Sequence, residues 1–398
     1  MSDNTLSNDM RTYYKDYLCD NANENLVHDQ FGQKHPIPKG NGKTIEFRKY
    51  SPLPKATKPL TEGVTPKGQE LKVSTITSTV SQYGGWVGIP DMLELTSIDT
   101  NMVQATEILG DQAGRTLDTV TREVLNGGTN VMYAPIVTGN SVTPVTARSS
   151  LNSDAKLSVD LILRAAAKLK NNLAKPINGS YIGIIHPFVA YDLMRSSEWI
   201  DAHKYAAPEN LFNGEIGKIG NVRFVESNEA KVFHGDDFSP GIKNLVVSIP
   251  TDNSNVIILN NELAEEDVEK MVGRTIIAAG QYREVLSVEK TTNDTITITI
   301  DAPVTINAGS SIRPGEGGQN GVSVYSTLIL GANAYGVTEL ENGGLEHIVK
   351  QLGSAGTADP LNQRASAGWK ATKTAERLVE NYMIRIESCS SFADEYAN

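Results

Sequence analysis

Cysteine is almost missing from this sequence: of 398 residues only Cys19 and Cys389 carry a thiol, near opposite ends of the chain. That spacing argues against a disulfide framework and suits a reducing compartment. No stretch approaches the ~18 uninterrupted apolar residues of a membrane-spanning helix. The N-terminus, MSDNTLSNDMRTYY, has no apolar signal-peptide core. The short catalytic and metal motifs are missing too: there is no H-E-x-x-H, C-x-x-C, G-x-S-x-G or EF-hand loop. The six histidines, at 28, 35, 186, 203, 234 and 347, are scattered, and His186, between a buried strand and Pro187, reads as structural. Gly40-Asn41-Gly42-Lys43-Thr44 ends like a phosphate-binding loop, but that loop needs glycine where Ile37 stands. Ser153-Asp154-Ala155-Lys156 satisfies S-x-x-K without a K-T-G partner and reads as coincidence. These absences lead to the expectation of a protein that is not an enzyme, with no catalytic residues, no cofactor, no metal site and no membrane partner.

What is present is a globular composition, 39% hydrophobic and 21% charged, in a chain long enough for two or three folding units. The net charge of -11 is uneven. Residues 31–60 hold Lys34, Lys39, Lys43, Arg48, Lys49, Lys55 and Lys58 against Glu46 alone. A basic stretch on an acidic body fits a solvated loop, nucleic-acid contact or self-association across another copy's acidic surface. Self-association is favoured over nucleic acid, because no aromatic interleaving accompanies the lysines.

Met10, Tyr13, Tyr14, Tyr17 and Leu18 predict one apolar face of a short helix, followed by a polar, aperiodic stretch to about residue 42. KTIEFRKY (43–50) and LKVSTITSTVSQYGGWVGI (71–89) read as strands, joined by a proline-punctuated loop of about twenty residues. The first ~90 residues thus look like an arm and a long hairpin without a core of their own. The spacing predicts a long helix over 102–125 and a second over 159–173 opened by Ser158, with Leu173 on its apolar face. YIGIIH (181–186) predicts a buried strand, and Pro187 the first position of a helix through about Met194. Residues 231–314 are strand and turn, predicting a small β-barrel or sandwich. One short helix around Leu263–Met271 interrupts it, opened by Glu262, Glu265, Glu266, Asp267 and Glu269. These acids read as solvated helix-start residues, with a cation site the less favoured alternative. LEHIVKQLG, GWKATKTAE and YMIRIES predict further strands near the C-terminus.

Several long blocks carry a family resemblance. They are NLVHDQFGQKHPIPKGNGKTIEFRKYSPLPKATKPLTEGVTP (25–66), IPDMLELTSIDT (89–100), ILGDQAGRTLDTVTREVLNGGTNVMYA (108–134), ENLFNGEIGKIGNVRFVES (209–227) and KQLGSAGTADPLNQRASAGWKA (350–371). Together they cover about half the chain, in order. The sequence resembles major capsid proteins of tailed bacteriophages, in the branch related to the coliphage N-four coat protein. The resemblance implies an α+β, Hong Kong 97-type capsid fold. Its parts would be an N-terminal arm (1–42), an extended loop (43–88), a peripheral domain with a long spine helix (89–154 and 345–398) and an axial domain (155–230 and 315–344). Residues 231–314 depart from the short form of the family and are expected to be an inserted small all-β domain. The implied function is self-assembly into hexamers and pentamers of an icosahedral shell around double-stranded DNA, touched non-specifically. A separate scaffold, a portal and decoration proteins would be further partners, and the virion capsid the final location after synthesis in the bacterial cytoplasm. The expected assembly residues are Tyr13, Tyr14 and Tyr17 in the arm and Leu53, Lys55, Lys58 and Leu60 in the loop. A tail or decoration protein that uses its β-rich region to bind a partner is the second reading. A polysaccharide-acting enzyme using Asp236, Asp237, Glu265 and Glu266 is a distant third.

Overall fold

The structure is a computed structural model. It describes residues 18, 22, 25–36, 43–50, 53, 55–63, 65, 68–71, 73–92, 101–139, 141–196, 217–233, 238–239, 242, 244–279, 281–291, 295–319, 322–338, 345–350, 361 and 363–392. The chain forms two compact units, residues 1–128 with 332–382, and residues 129–331 with 383–398.

The first unit is organised by a 26-residue helix, Asn101–Asn126. Leu109, Ala113 and Leu117 recur every fourth residue and are buried, as the sequence spacing predicts for a core-facing stripe. Against it lies a three-stranded antiparallel sheet in the order Leu345–Lys350, Arg364–Lys373, Ser81–Pro90. The middle strand turns Ala365, Ala367, Trp369 and Ala371 inward; its alanines admit a close approach of the helix, and Trp369 Nε1 donates to Gln112 Oε1 at 3.1 Å.

Leu18, Ala22 and Leu26 complete this core. Gly114 is required where they cross the helix, because a Cβ there would stand 2.5 Å from the Ala22 carbonyl oxygen. This corrects the expectation of an arm with no core of its own: the apolar period does not stop at Leu18 but continues at Ala22 and Leu26 through a polar stretch. Further on, Gln33–His35 pairs in parallel with Tyr335–Thr338, which also pairs with Ala375–Arg377. The run at 71–89, read as one strand, divides at Val80. Val73–Thr79 pairs with Thr44–Tyr50 in a two-stranded ribbon, while Ser81–Pro90 joins the three-stranded sheet.

The second unit holds a seven-stranded sheet. Its path runs Val131–Tyr133, Met383–Ser388, Val324–Leu330, Tyr181–Ile185, Val222–Glu226, Lys218–Ile219, with Val232–Phe233 beside Val324–Leu330. Every residue of Tyr181–Ile185 and Val324–Leu330 is buried, which explains the unbroken apolar run of the first; the second also buries Ser326 and Thr327. The helix Val159–Asn171 buries Leu161, Ile162, Ala165, Ala166 and Leu169, and Ser158 accepts from the Leu161 amide at 3.3 Å as its N-cap. Leu173 is not on that face. Its φ of +60° ends the helix, the Ala174 amide closes back onto the Leu169 carbonyl, and the side chain is exposed.

Strand pairing moves the expected domain boundaries. Val131–Tyr133 and Met383–Ser388, expected in the peripheral domain, are in the seven-stranded sheet, whereas Tyr335–Thr338, expected in the axial domain, pairs within the first unit. Local patterning does not encode which distant strand becomes the neighbour.

Six strands between Leu245 and Pro314 close into a barrel. Ile296, Ile298 and Ile300 alternate inward against Thr295, Thr297 and Thr299, and the short helix Glu265–Glu269 brings Val268 into the same core as Leu263 and Met271. Phe238 is the first described residue in that core, while Val232–Phe233 belongs to the larger sheet, so the barrel starts later than residue 231.

His186 caps the helix Pro187–Met194, its Nδ1 accepting from the Phe188 amide at 3.2 Å. Burial lowers its pKa from 6.5 to about 4. Between those values the unfolded chain binds a proton that the folded chain refuses, so stability is complete above the unfolded pKa and falls as pH drops toward 4. Urea unfolding is expected to show a loss of roughly 3 kcal/mol at most across this window. His186→Asn, which keeps a capping acceptor, is expected to flatten that part of the profile.

Candidate assembly surfaces

The ribbon of Thr44–Tyr50 and Val73–Thr79 runs in unbroken antiparallel register from Thr44 opposite Thr79 to Tyr50 opposite Val73. Its base is fixed to its own unit. Ile45 and Phe47 are buried with Leu378, Ile76, Val80 and Val379 around them, and Ser78 Oγ and Thr374 Oγ1 share a hydrogen bond of 2.7 Å. Phe47 reaches this position because Gly336 presents bare backbone; any Cβ there would overlap the ring.

Beyond this anchor the described residues of 53–71 are all exposed. Leu53, Lys55, Lys58 and Leu60 are thus brought together on one solvated excursion, with Leu60 79% and Leu71 63% accessible. Burying a leucine side chain contributes about 1.5–3 kcal/mol, so these side chains forgo stabilisation that another surface could supply. Lys34, Lys43 and Arg48 are also exposed and Lys49 is half-buried, so the described cations of the basic stretch reach solvent, while Lys39 lies outside the described residues. Tyr13, Tyr14 and Tyr17 lie outside the described residues.

A second apolar surface was not anticipated. On the outer face of the three-stranded sheet Trp86 is 75% exposed, in register with Gly368 and Ile348 across the strands. The Glu346–Lys370 ion pair, 3.2 Å, borders it. The sequence signal was present in GGWVG (84–88): a tryptophan set among glycines has little of its own strand to pack on.

The first unit also contains a buried polar network that no short motif announces. The His28 amide and Nδ1 donate to the two oxygens of Asp118 at 2.7 and 2.6 Å, both residues fully buried. Thr121 Oγ1 donates to Asp29 Oδ1 at 2.5 Å, and the Lys373 ammonium meets Asp29 Oδ2. Tyr335 donates its hydroxyl to the His28 carbonyl. Burial pulls Lys373 down to about 7 and pushes Tyr335 upward. The partners stand 90, 92 and 344 residues apart in sequence, which is why local reading misses them. This chemistry holds a chain segment in place.

Elsewhere Lys156, the lysine of the S-x-x-K sequence, faces Asp192 at 3.7 Å. Among the described residues no group of three or more His, Cys, Asp or Glu side chains is arranged to hold a metal.

A family model described as phage capsid protein matches residues 91–351. No curated protein matches the sequence. Among solved structures, the capsid of the cyanophage P-SCSP1u aligns with TM-score 0.51 at 14% identity, over 91% of this chain and 87% of that one. The capsid of Ralstonia phage GP4 aligns with TM-score 0.51 at 13% identity, over 93% and 87%. At these identities the likeness is one of fold, with its mixture of helices and strands.

Asp118→Ala strips the buried His28 amide and imidazole of their acceptor. The expected result is a loss of about 2–6 kcal/mol in denaturant unfolding, since each of the two buried donors left unsatisfied costs about 1–3 kcal/mol. Exposed Asp154→Ala serves as the neutral comparison.

Proposed function

Because the chain belongs to the phage capsid protein family, we propose that it is the repeating subunit of an icosahedral shell, with a mechanism of assembly and no catalytic step. The observation that carries this reading is the exposed excursion at 53–71, held on a ribbon whose base is buried in its own unit. An anchored ribbon with exposed leucines and lysines at its free end is built to be completed by another copy. Many weak contacts of this kind close a symmetric shell while each remains reversible.

In this reading the first unit, with its long helix, is the peripheral domain and the ribbon its extended loop. The second unit is the axial domain, and the barrel within it is an insertion into the shorter form of the family. The affinity for the branch related to the coliphage N-four coat protein rests on the sequence blocks given above. Shells of this kind would enclose the double-stranded DNA of a tailed phage, with the basic stretch meeting acidic neighbours or the packaged genome. A separate scaffold, a portal and decoration proteins complete the proposed partners. Tyr13, Tyr14 and Tyr17 would dock the extreme N-terminus on an adjacent subunit.

Electron microscopy of the expressed chain, with and without its scaffold, tests the proposal. Shells or capsomer rings are the expected outcome, and a persistent monomer under every condition would overturn it. Leu60→Asp places a charge on an excursion that makes no core contact. The variant subunit is expected to unfold at the same denaturant concentration as the parent and to yield few or no shells. Normal shells from it would remove the excursion from the interface.

A further inference from the structure

We propose that Lys373 and Asp29 become joined by an isopeptide bond within the chain, a covalent strap between the N-terminal segment and the central strand of the sheet.

The placement of the two groups carries the inference. Lys373 is the last residue of the strand Arg364–Lys373 and points inward with its side chain wholly buried; the Asp29 side chain is 9% exposed. Nζ and Oδ2 are in contact. Both groups are held from outside the pair. Lys373 is fixed by strand pairing with Ser81, and Asp29 follows His28, whose amide and ring are both clamped by Asp118. A nucleophile and an acyl carbon fixed at this range, with water kept out, have lost the freedom that makes amide formation slow in solution.

The surroundings favour the chemistry. Burial lowers the Lys373 pKa to about 7, which makes the free amine accessible at neutral pH. Thr121 Oγ1 donates to Asp29 Oδ1, the oxygen turned away from the lysine, where it can hold the charge that develops as the carbonyl is attacked. The step balances without a further reactant. The ammonium passes one proton to Oδ2, and the amine nitrogen attacks Cγ. The resulting tetrahedral centre collapses as Oδ2 takes a second proton from nitrogen and leaves as water, and the third hydrogen remains as the amide N–H. Nothing is oxidised or reduced. The proposal concerns one chain and does not depend on shell assembly.

Mass spectrometry of the full-length denatured chain tests it. The parent is expected to be lighter than its sequence by one water, and a protease digest to yield a branched peptide linking residues 29 and 373. Asp29→Asn is expected to give the same branched peptide with loss of ammonia in place of water. Lys373→Arg keeps a cation but should show the full sequence mass and no branch. A parent chain at full sequence mass, or a water loss that maps to another site, would reduce the contact to an ion pair and overturn the proposal. Because the parent digest decides the matter, a variant that fails to fold does not obscure it.

Discussion

A carboxylate taken out of water costs several kcal/mol unless its partners are buried with it, and among the described residues of the first unit Asp29 and Asp118 are buried. Neither is tolerable alone. Asp118 sits on the stripe of the long helix that faces the core, where apolar residues would be expected, and is acceptable only because the backbone and ring of His28 come to it. Asp29 is acceptable only because Thr121 and Lys373 reach it from a helix and a strand. The network is therefore a specificity device more than a source of net stability. Any other placement of the N-terminal segment would leave buried charges unpaired on three elements at once.

That constraint determines what can protrude. With His28 and Asp29 fixed, Gln33–His35 is delivered to the edge of Tyr335–Thr338, and His35 meets the Phe47 ring edge-on at 4.9 Å. Phe47 in turn fixes the base of the ribbon over Gly336. Each step uses a contact made by the previous one, from a buried ion pair to a solvated loop. The leucines at 53, 60 and 71 are exposed at the end of this chain of contacts, and the anchoring limits the orientations in which they can meet a partner. In general, groups presented on an anchored ribbon lose less entropy on meeting a partner than the same groups on a free tail.

Most of the local structure was legible in the sequence, and most of the long-range structure was not. Period 3.6 marked the long helix to within a residue at each end, Ser158 marked the start of the next, Pro187 the one after, and alternating isoleucines marked the barrel strand Thr295–Ile306. These signals act within a few residues. By contrast, the split of the 71–89 run at Val80 depends on two different partners, Thr44–Tyr50 and Arg364–Lys373, which pattern cannot choose between. The exposed loop residues Leu53, Lys55, Lys58 and Leu60 were visible because the proline-punctuated stretch around them had no periodicity to bury them. The polar network was invisible because His28, Asp29, Asp118, Thr121 and Lys373 form no motif until the chain has folded. The core contact of the N-terminal segment is hard to read because Ala22 is a lone small residue between asparagines, and the polar stretch from Asp20 to Asn25 hides the link from Leu18 to Leu26.

The two β-rich regions handle their edges in opposite ways. An open strand edge offers unpaired donors and acceptors to any passing chain. The barrel removes that hazard by closure: Leu245–Ile249 pairs on both sides, with Thr251–Asn260 and with Ser311–Pro314, so the ring has no first or last strand. It can be carried within the second unit without presenting strands for aggregation. The ribbon does the reverse. Among the described residues Thr44–Tyr50 and Val73–Thr79 pair only with each other, leaving an outer edge on each. Charge then restrains it: Lys43, Arg48, Lys55 and Lys58 repel the same segment of another copy and favour an acidic surface instead. Like-with-like stacking is disfavoured, while contact between unlike surfaces of neighbouring copies is allowed. Heterologous contacts in general give closed rings where the rotation between copies closes and open filaments where it does not.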